Sequence, residues 1–173
     1  MPVEEEFAAW CRREHPRLVC ALTVWCGDRR LAEELVQEAF ARAHRDWKKV
    51  GRFEDPSGWV RRVALNLATS SFRRRQAERR AYGKLMGYVE TSGRDPDVAD
   101  AVAVRGAVDR LPTLQRSVIV LRFYLGLSVE ETAATVGRSR SAVTSATARA
   151  LAGLRQRLDL PVELSDRDEE RAP

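Results

Sequence analysis

Residues 127–155 read LSVEETAATVGRSRSAVTSATARALAGLR. Ser128 followed three positions later by Glu131 forms a capping box: each side chain satisfies the other's free backbone amide and so opens a helix. That helix is short, ending near Val136, because Gly137-Arg138-Ser139 makes a turn. A longer helix runs from about Arg140 to Leu158, with Val143, Ala146, Ala150 and Leu154 inward. A short helix, a glycine turn and a longer basic helix describe a helix-turn-helix, whose second helix fits the major groove while the first lies across the backbone. The groove-facing candidates are Arg138, Arg140, Ser141, Thr144, Ser145 and Arg149. Arginine reads guanine by a two-pronged contact, whereas Ser and Thr serve bases or phosphates and specify less.

Upstream, Leu111-Pro112 begins a helix through Val118, Ile119, Leu121 and Phe123, and Gly126 ends it. Before it, GYVETSGRDPDVAD at 87–100 mixes Gly, Pro, Ser and acids without periodicity, as a flexible linker does, and the linker is taken to span 87–104. In the N-terminal block a helix from about Phe7 to Cys26 stops at Gly27, and Asp28 caps the next, from about Arg30 to Trp47. Leu31, Leu35, Phe40, Ala43 and Trp47 are placed on its inward side, leaving Glu33, Glu34, Gln37 and Glu38 toward solvent. After a loop at Val50–Asp55, Asp55-Pro56 starts a long helix to about Ala81, burying Val60, Val63, Ala64 and Leu67. Arg62, Asn66, Thr69 and Arg73 line another stripe of it. With spacings of three and four throughout and almost no strand pattern, the fold class is all-α: two small helical domains, 1–86 and 105–160, and an acidic tail at 161–173.

The chain has 173 residues, 44% hydrophobic and 32% charged, ordinary for a globular protein. Its net charge of +5 is unevenly distributed. Residues 1–86 carry 18 basic and 12 acidic side chains, and residues 105–160 carry 9 and 4. The linker and the tail are acidic, with 1 against 4 and 2 against 5, so two basic blocks flank an acidic spacer. Two basic helical units suit a polyanion. Met1–Glu6 is acidic and no apolar run reaches the ~18 residues that span a bilayer, so neither export nor membrane insertion is expected. Cys11, Cys20 and Cys26 are odd in number and lack Cys-x-x-Cys spacing, so no metal or other cofactor is expected and a reducing cytoplasm is the simpler home.

Two further patterns bear on function. Cations of the Arg62/Asn66/Arg73 stripe track phosphate, while Trp59 and Phe53 nearby could stack unpaired bases, a combination suited to single-stranded or opening DNA; the alternative is core aromatics beside a solvated basic face. The acidic face Glu33, Glu34, Gln37 and Glu38 repels nucleic acid and suits a basic protein surface, or is simply solvated.

These segments occur in the order and spacing of extracytoplasmic-function sigma factors of bacterial RNA polymerase, which the chain resembles. Gly27-Asp28 followed by AEELVQEAFARA at 32–43 looks like that family's most recognisable motif. By resemblance, Glu34, Leu35, Gln37, Glu38 and Phe40 dock on the clamp of the polymerase largest subunit. WVRRVALNLATSSFRRR at 59–75 is similar to the helix that recognises the minus-ten element, implying roles for Phe53, Trp59, Arg61, Arg62, Asn66, Arg73, Arg74 and Arg75, with the 50–55 loop holding a flipped base. Residues 111–155 look like the domain that binds the minus-thirty-five element and contacts the flap of the second-largest subunit. Duplex and single-stranded promoter DNA are then partners, and an anti-sigma protein is a regulator common in the family, sometimes holding its target at the membrane.

Departures from the family pattern are local. Ala142-Val143-Thr144-Ser145-Ala146 stands where relatives commonly have Thr-Val-Lys-Ser-Arg, and Leu65 and Ser70 replace the usual Arg and Asp. The rival readings are a dimeric operator-binding regulator, which leaves the acidic helix unexplained, and a helical enzyme, for which two histidines and unpaired cysteines supply no nucleophile–base set.

Overall fold

The computed structural model describes residues 3–83 and 99–158, and every described element is helical. Helix α1 (Val3–Cys26) and α2 (Arg29–Arg45) form a hairpin; α3 (Trp47–Val50) is a single turn leading to the long α4 (Pro56–Gly83). In the C-terminal part, α5 (Ala99–Asp109) and α6 (Thr113–Ile119) precede a π-helical turn at Val120–Tyr124, then α7 (Val129–Val136) and α8 (Arg140–Leu158). Helix α5 was not expected, and because it begins at Ala99 the last residues of the presumed linker are helical. The rest of that linker, 87–98, and the acidic tail lie outside the described residues.

The expected helix boundaries rest on local chemistry that the structure reproduces. Gly27 takes φ +70°, and the Asp28 carboxylate accepts from the Leu31 N–H at 3.1 Å to cap α2. Asp55 does the same for α4, accepting from Gly58 N–H at 2.7 Å. At α7, Ser128 N–H donates to Glu131 Oε2 at 2.8 Å while Glu131 N–H donates to Ser128 Oγ at 3.1 Å. These bonds to Ser128 hold the Glu131 carboxyl below its ordinary pKa.

Aromatic packing organises the N-terminal unit. The Trp10 ring lies 4.9 Å from Phe40 and 4.8 Å from Trp47, and its indole N–H donates to Ser57 Oγ at 3.1 Å, tying α1 to α2, α3 and α4. Burial of Trp10, Leu18 and Leu22 on both sides of Pro16 carries α1 through a residue that lacks an amide donor. The buried stripe of α2 is Ala32, Val36, Ala39, Phe40 and Ala43; Phe40, Ala43 and Trp47 are buried as expected, whereas Leu31 and Leu35 are only half-buried. Small residues let α2 approach α1 closely, which rotates the two leucines to its flank. On α4, Val60, Ala64, Leu65 and Ala68 are buried and Val63 and Leu67 flank them, so the family's departure at Leu65 is a core contact.

The C-terminal unit packs Val118 against Ala133, Val143 and Ala146, and Leu111 and Ile119 against Ala150. The π-turn shifts the helical register after Ile119, so Val120 and Leu121 point inward while Phe123 and Tyr124, at 50% and 53% exposure, point out. Val120 and Leu121 join the N-terminal core, with Leu125, Leu127 and Val136 packed beside them. The two units therefore share apolar surface.

Ser128→Ala is expected to lower unfolding free energy by about 1 kcal/mol in urea titration. Glu131→Gln should cost stability at neutral pH, and that difference should fade in acid. Its folded pKa is depressed, so the stabilisation is fully present above the unfolded value and is lost as pH falls through the folded one.

Candidate nucleic-acid interface

The turn between α7 and α8 is fixed by Gly137 in the left-handed region, φ +65°, a conformation costly for any side chain with a Cβ. Ser139 Oγ accepts from Ala142 N–H at 3.2 Å and starts α8. Burial of Val143, Ala146, Thr147 and Ala150 orients α8, and all six groove candidates, Arg138, Arg140, Ser141, Thr144, Ser145 and Arg149, are exposed on its other side. Several are already engaged: Arg140 pairs with Glu130 at 2.5 Å, and Arg149 Nε donates to the Ser145 carbonyl at 3.2 Å. Thr144 Oγ1 donates to the Arg140 carbonyl at 3.1 Å. The face is concave beside the turn, where Arg62, Ala133, Ala134, Gly137, Arg138, Ser139 and Ala142 line one hollow. Arg62, from the N-terminal unit, thus opens onto the helix-turn-helix.

On α4, Asn66, Arg73, Arg74 and Arg75 are exposed, and Arg74 lies 3.8 Å from Glu78. Arg61 differs: its side chain is only 14% exposed and donates to Asp55 at 3.0 Å. Arg62 donates to the Ala134 carbonyl on α7. Phe53 is at the surface with 36% exposure, whereas Trp59 is half-buried against the core. Of the aromatic pair, Phe53 is the one with a free face.

The docking set expected on α2 changes at one residue. Phe40 is 5% exposed between Trp10 and His15, so it supports the helix from inside. The carboxylates are laced with cations: Arg29 pairs with Glu33 at 2.9 Å, Arg30 with Glu34 at 3.3 Å and Arg42 with Glu38 at 2.8 Å. Such solvent-exposed pairs are weak and screened, so a partner's cations can replace them at little cost. Glu34, Gln37 and Glu38 are exposed, with Leu35 half-buried beside them.

One cluster has no counterpart in the sequence reading. Arg116 is 3% exposed, its guanidinium 5.2 Å from the Trp25 ring centre and 4.9 Å from that of Phe72. It donates to the Trp25 carbonyl at 3.1 Å and to the Asp109 carbonyl, and lies 3.8 Å from the Asp109 carboxylate. Trp25 Nε1 donates to Ser117 Oγ at 3.0 Å. Burial lowers the Arg116 pKa and raises that of Asp109 despite their proximity, so desolvation outweighs their attraction. The available sequence signal was the polar pair Arg116-Ser117 inside an apolar run, which does not say what it faces.

The three thiols are free, and among the described residues no three His, Cys, Asp or Glu side chains converge as a metal site. No described helix is long and apolar enough to cross a membrane.

Comparison with known families decides what this arrangement is. The description "Sigma-70 region 2" matches residues 10–78, and "Sigma-70, region 4" matches residues 101–154. The RNA polymerase sigma-E factor of Streptomyces antibioticus is 36% identical over 142 residues, covering 80% of this chain and 78% of that protein. The chain belongs to the extracytoplasmic-function sigma factors of the sigma-70 family. The SigX factor of Bacillus subtilis, of the same group, is 28% identical over 167 residues, covering 91% of this chain and 86% of its own. Among solved structures, the sigma factor RpoE of Bartonella quintana, in complex with the anti-sigma factor NepR, has a TM-score of 0.75 at 22% identity. It covers 90% of this chain and 98% of that one. CnrH, in complex with the cytosolic domain of CnrY, has a TM-score of 0.64 at 27% identity, covering 90% and 89%. As a sigma factor the chain directs promoter-specific transcription initiation.

Burial holds the Cys26 thiol up at about 12 and the Cys11 thiol at about 11, whereas Cys20 is exposed. Alkylation with iodoacetamide at pH 8, read by mass spectrometry, is therefore expected to modify Cys20 well before the other two.

Proposed function

We propose that residues 1–86 of this sigma factor dock on core polymerase and capture the minus-ten element, and that the helix-turn-helix within 105–160 reads the minus-thirty-five element. The observation that carries this reading is the sorting of exposed side chains. Three surfaces of different chemistry lie on α2, α4 and α8, the last two meeting at Arg62, and each matches one job.

On α2, Glu34, Gln37 and Glu38, with Leu35 at their edge, offer carboxylates and an amide to the basic clamp of the largest subunit. Phe40 acts only by holding that helix in place. On α4, Asn66 and Arg62 read and hold unpaired bases and their phosphates, Arg73, Arg74 and Arg75 follow the backbone, and Phe53 stacks on a flipped base. Trp59 and Arg61 shape the loop edge, Arg61 through its bond to Asp55. On α8, Arg138 and Arg140 serve guanine or phosphate, and Ser141, Thr144, Ser145 and Arg149 complete the contact. Helix α5 belongs with this second unit, which also meets the flap of the second-largest subunit.

Unpairing a base costs a few kcal/mol, and stacking returns only about 1–3 kcal/mol per base. A chain of this size therefore needs polymerase to complete melting, and the bond-making chemistry belongs to polymerase. The factor works in the cytoplasm, on the nucleoid. The anti-sigma partner in the Bartonella complex makes a protein of that kind a fitting regulator of this chain, at the membrane or free.

Co-purification with bacterial core polymerase tests the docking role. Glu34→Ala/Gln37→Ala/Glu38→Ala is expected to lower affinity at least tenfold, while Arg62→Ala/Asn66→Ala should bind core normally and lose promoter-specific run-off transcripts. Tight duplex binding by the isolated chain, with no affinity for core, would instead make it an operator-binding regulator.

A further inference from the structure

Ser141, Thr144 and Ser145 on the groove face of α8 are short, and two of their hydroxyls are engaged locally. Ser141 Oγ lies 3.1 Å from Ser139 Oγ, and Thr144 donates to the Arg140 carbonyl. Reading of bases on this face therefore falls mainly to its arginines, and these are held in different ways. Arg149 is bonded to a carbonyl of its own helix. Arg140 is the first residue of α8 and is gripped from the preceding helix, its Nη2 lying 2.5 Å from Glu130 Oε1.

That grip is selective. The first turn of α7 carries two carboxylates, Glu130 and Glu131. Glu131 is committed to the Ser128 amide, as its cap requires. Glu130, beside it, reaches α8 instead. The first turn of α8 has no acid of its own, and a guanidinium there faces the positive end of its helix dipole. Glu130 supplies from α7 the negative charge that the start of α8 lacks.

Both side chains are largely solvated, 73% and 53% exposed, so the pair adds little to stability. Its consequence is positional. The N-terminal residues of a recognition helix are the ones that meet base edges. A long arginine side chain must give up rotamer freedom to make such a contact, and one already held in place gives up less. Its planar fork has five N–H donors, so a carboxylate on one nitrogen leaves enough for guanine O6 and N7. When DNA covers the pair and excludes water, the attraction between Glu130 and Arg140 strengthens. A carboxylate repels phosphate, so without that positional gain its place beside the groove would only weaken binding.

We propose that Arg140 reads a guanine of the minus-thirty-five element and that Glu130 is its positioning residue, a specificity determinant outside the recognition helix. This rests on the assignment of α8 to that element.

The test uses holoenzyme assembled from core polymerase and the full chain, with a promoter that it transcribes randomised across the minus-thirty-five element. Run-off transcripts are counted by sequencing. Wild type should prefer guanine at one position, and Arg140→Ala should erase that preference. Glu130→Gln should weaken the preference at the same position about tenfold, leave the other positions unchanged, and add nothing further in the Arg140→Ala background. Glu130→Asp, which keeps the charge on a shorter stem, should retain part of it. Both Glu130 variants keep the Ser128/Glu131 cap, and circular dichroism checks their native helicity. No guanine preference lost in Arg140→Ala, or a Glu130→Gln profile equal to wild type, would overturn the proposal. So would a uniform change across all sequences, which is what loss of a merely stabilising or repelling charge gives. Relaxation at a different position from that of Arg140→Ala would also overturn it, by making Glu130 a reader in its own right. An element that can be randomised without loss in wild type would strike the assignment of α8 itself, and this proposal with it.

Discussion

A single guanidinium, that of Arg116, has its needs met by residues from three other helices. The Trp25 carbonyl comes from α1, the Phe72 ring from α4 and Asp109 from α5, while Arg116 itself is on α6. A charge removed from water must find hydrogen bonds and a polarisable surround or its burial is prohibitive. Here two ring faces and two carbonyls supply most of them, and Nε is left without a partner. That incomplete solution sets the relation between the units. Neither half alone offers the full set of partners, so the arrangement exists only while they are docked.

The remaining architecture arranges the working faces around that seam between the units. Aromatic packing around Trp10 fixes the hairpin of α1 and α2 and presents Glu34, Gln37 and Glu38 outward. Caps at Asp28, Asp55 and Ser128 start three helices at set positions, which determines which residues of each helix face solvent. The π-turn at Val120–Tyr124 does the opposite kind of work. By shifting register once, it lets one helical run serve the C-terminal core through Val118 and the N-terminal core through Val120 and Leu121. Exposure of Phe123 and Tyr124 is the direct geometric consequence.

Charge placement divides the surface in the same way. The carboxylates of α2 are held in exchangeable pairs with arginines one turn away, so the helix stays soluble as a free surface and ready for a basic partner. The cations of α4 divide into an exposed group at Arg73–Arg75 and a pair, Arg61 and Arg62, drawn into contacts with Asp55 and α7. Nucleic-acid binding by this sigma factor is thus unevenly accessible along one helix, with the restricted end nearest the helix-turn-helix.

The sequence by itself determined whatever depends on neighbours within about four residues. Gly27, Asp28, Asp55-Pro56, the Ser128/Glu131 box and Gly137 are local devices, and the helices they bound, the helix-turn-helix and its exposed face were legible from them. The family motif on α2 was legible for the same reason, as a short pattern at fixed spacing. Tertiary structure decided what depends on contacts across the chain. Leu35, expected inward, is only half-buried and Val36 takes the core position because α1 packs on small residues of α2, a fact of helix approach rather than of spacing. Helix α5, short and weakly patterned, stands beside α8 and α1 and gains its stability there. Arg116 was unreadable because its partner Trp25 lies 91 residues away, and only folding brings a carbonyl, two rings and a charge to one point.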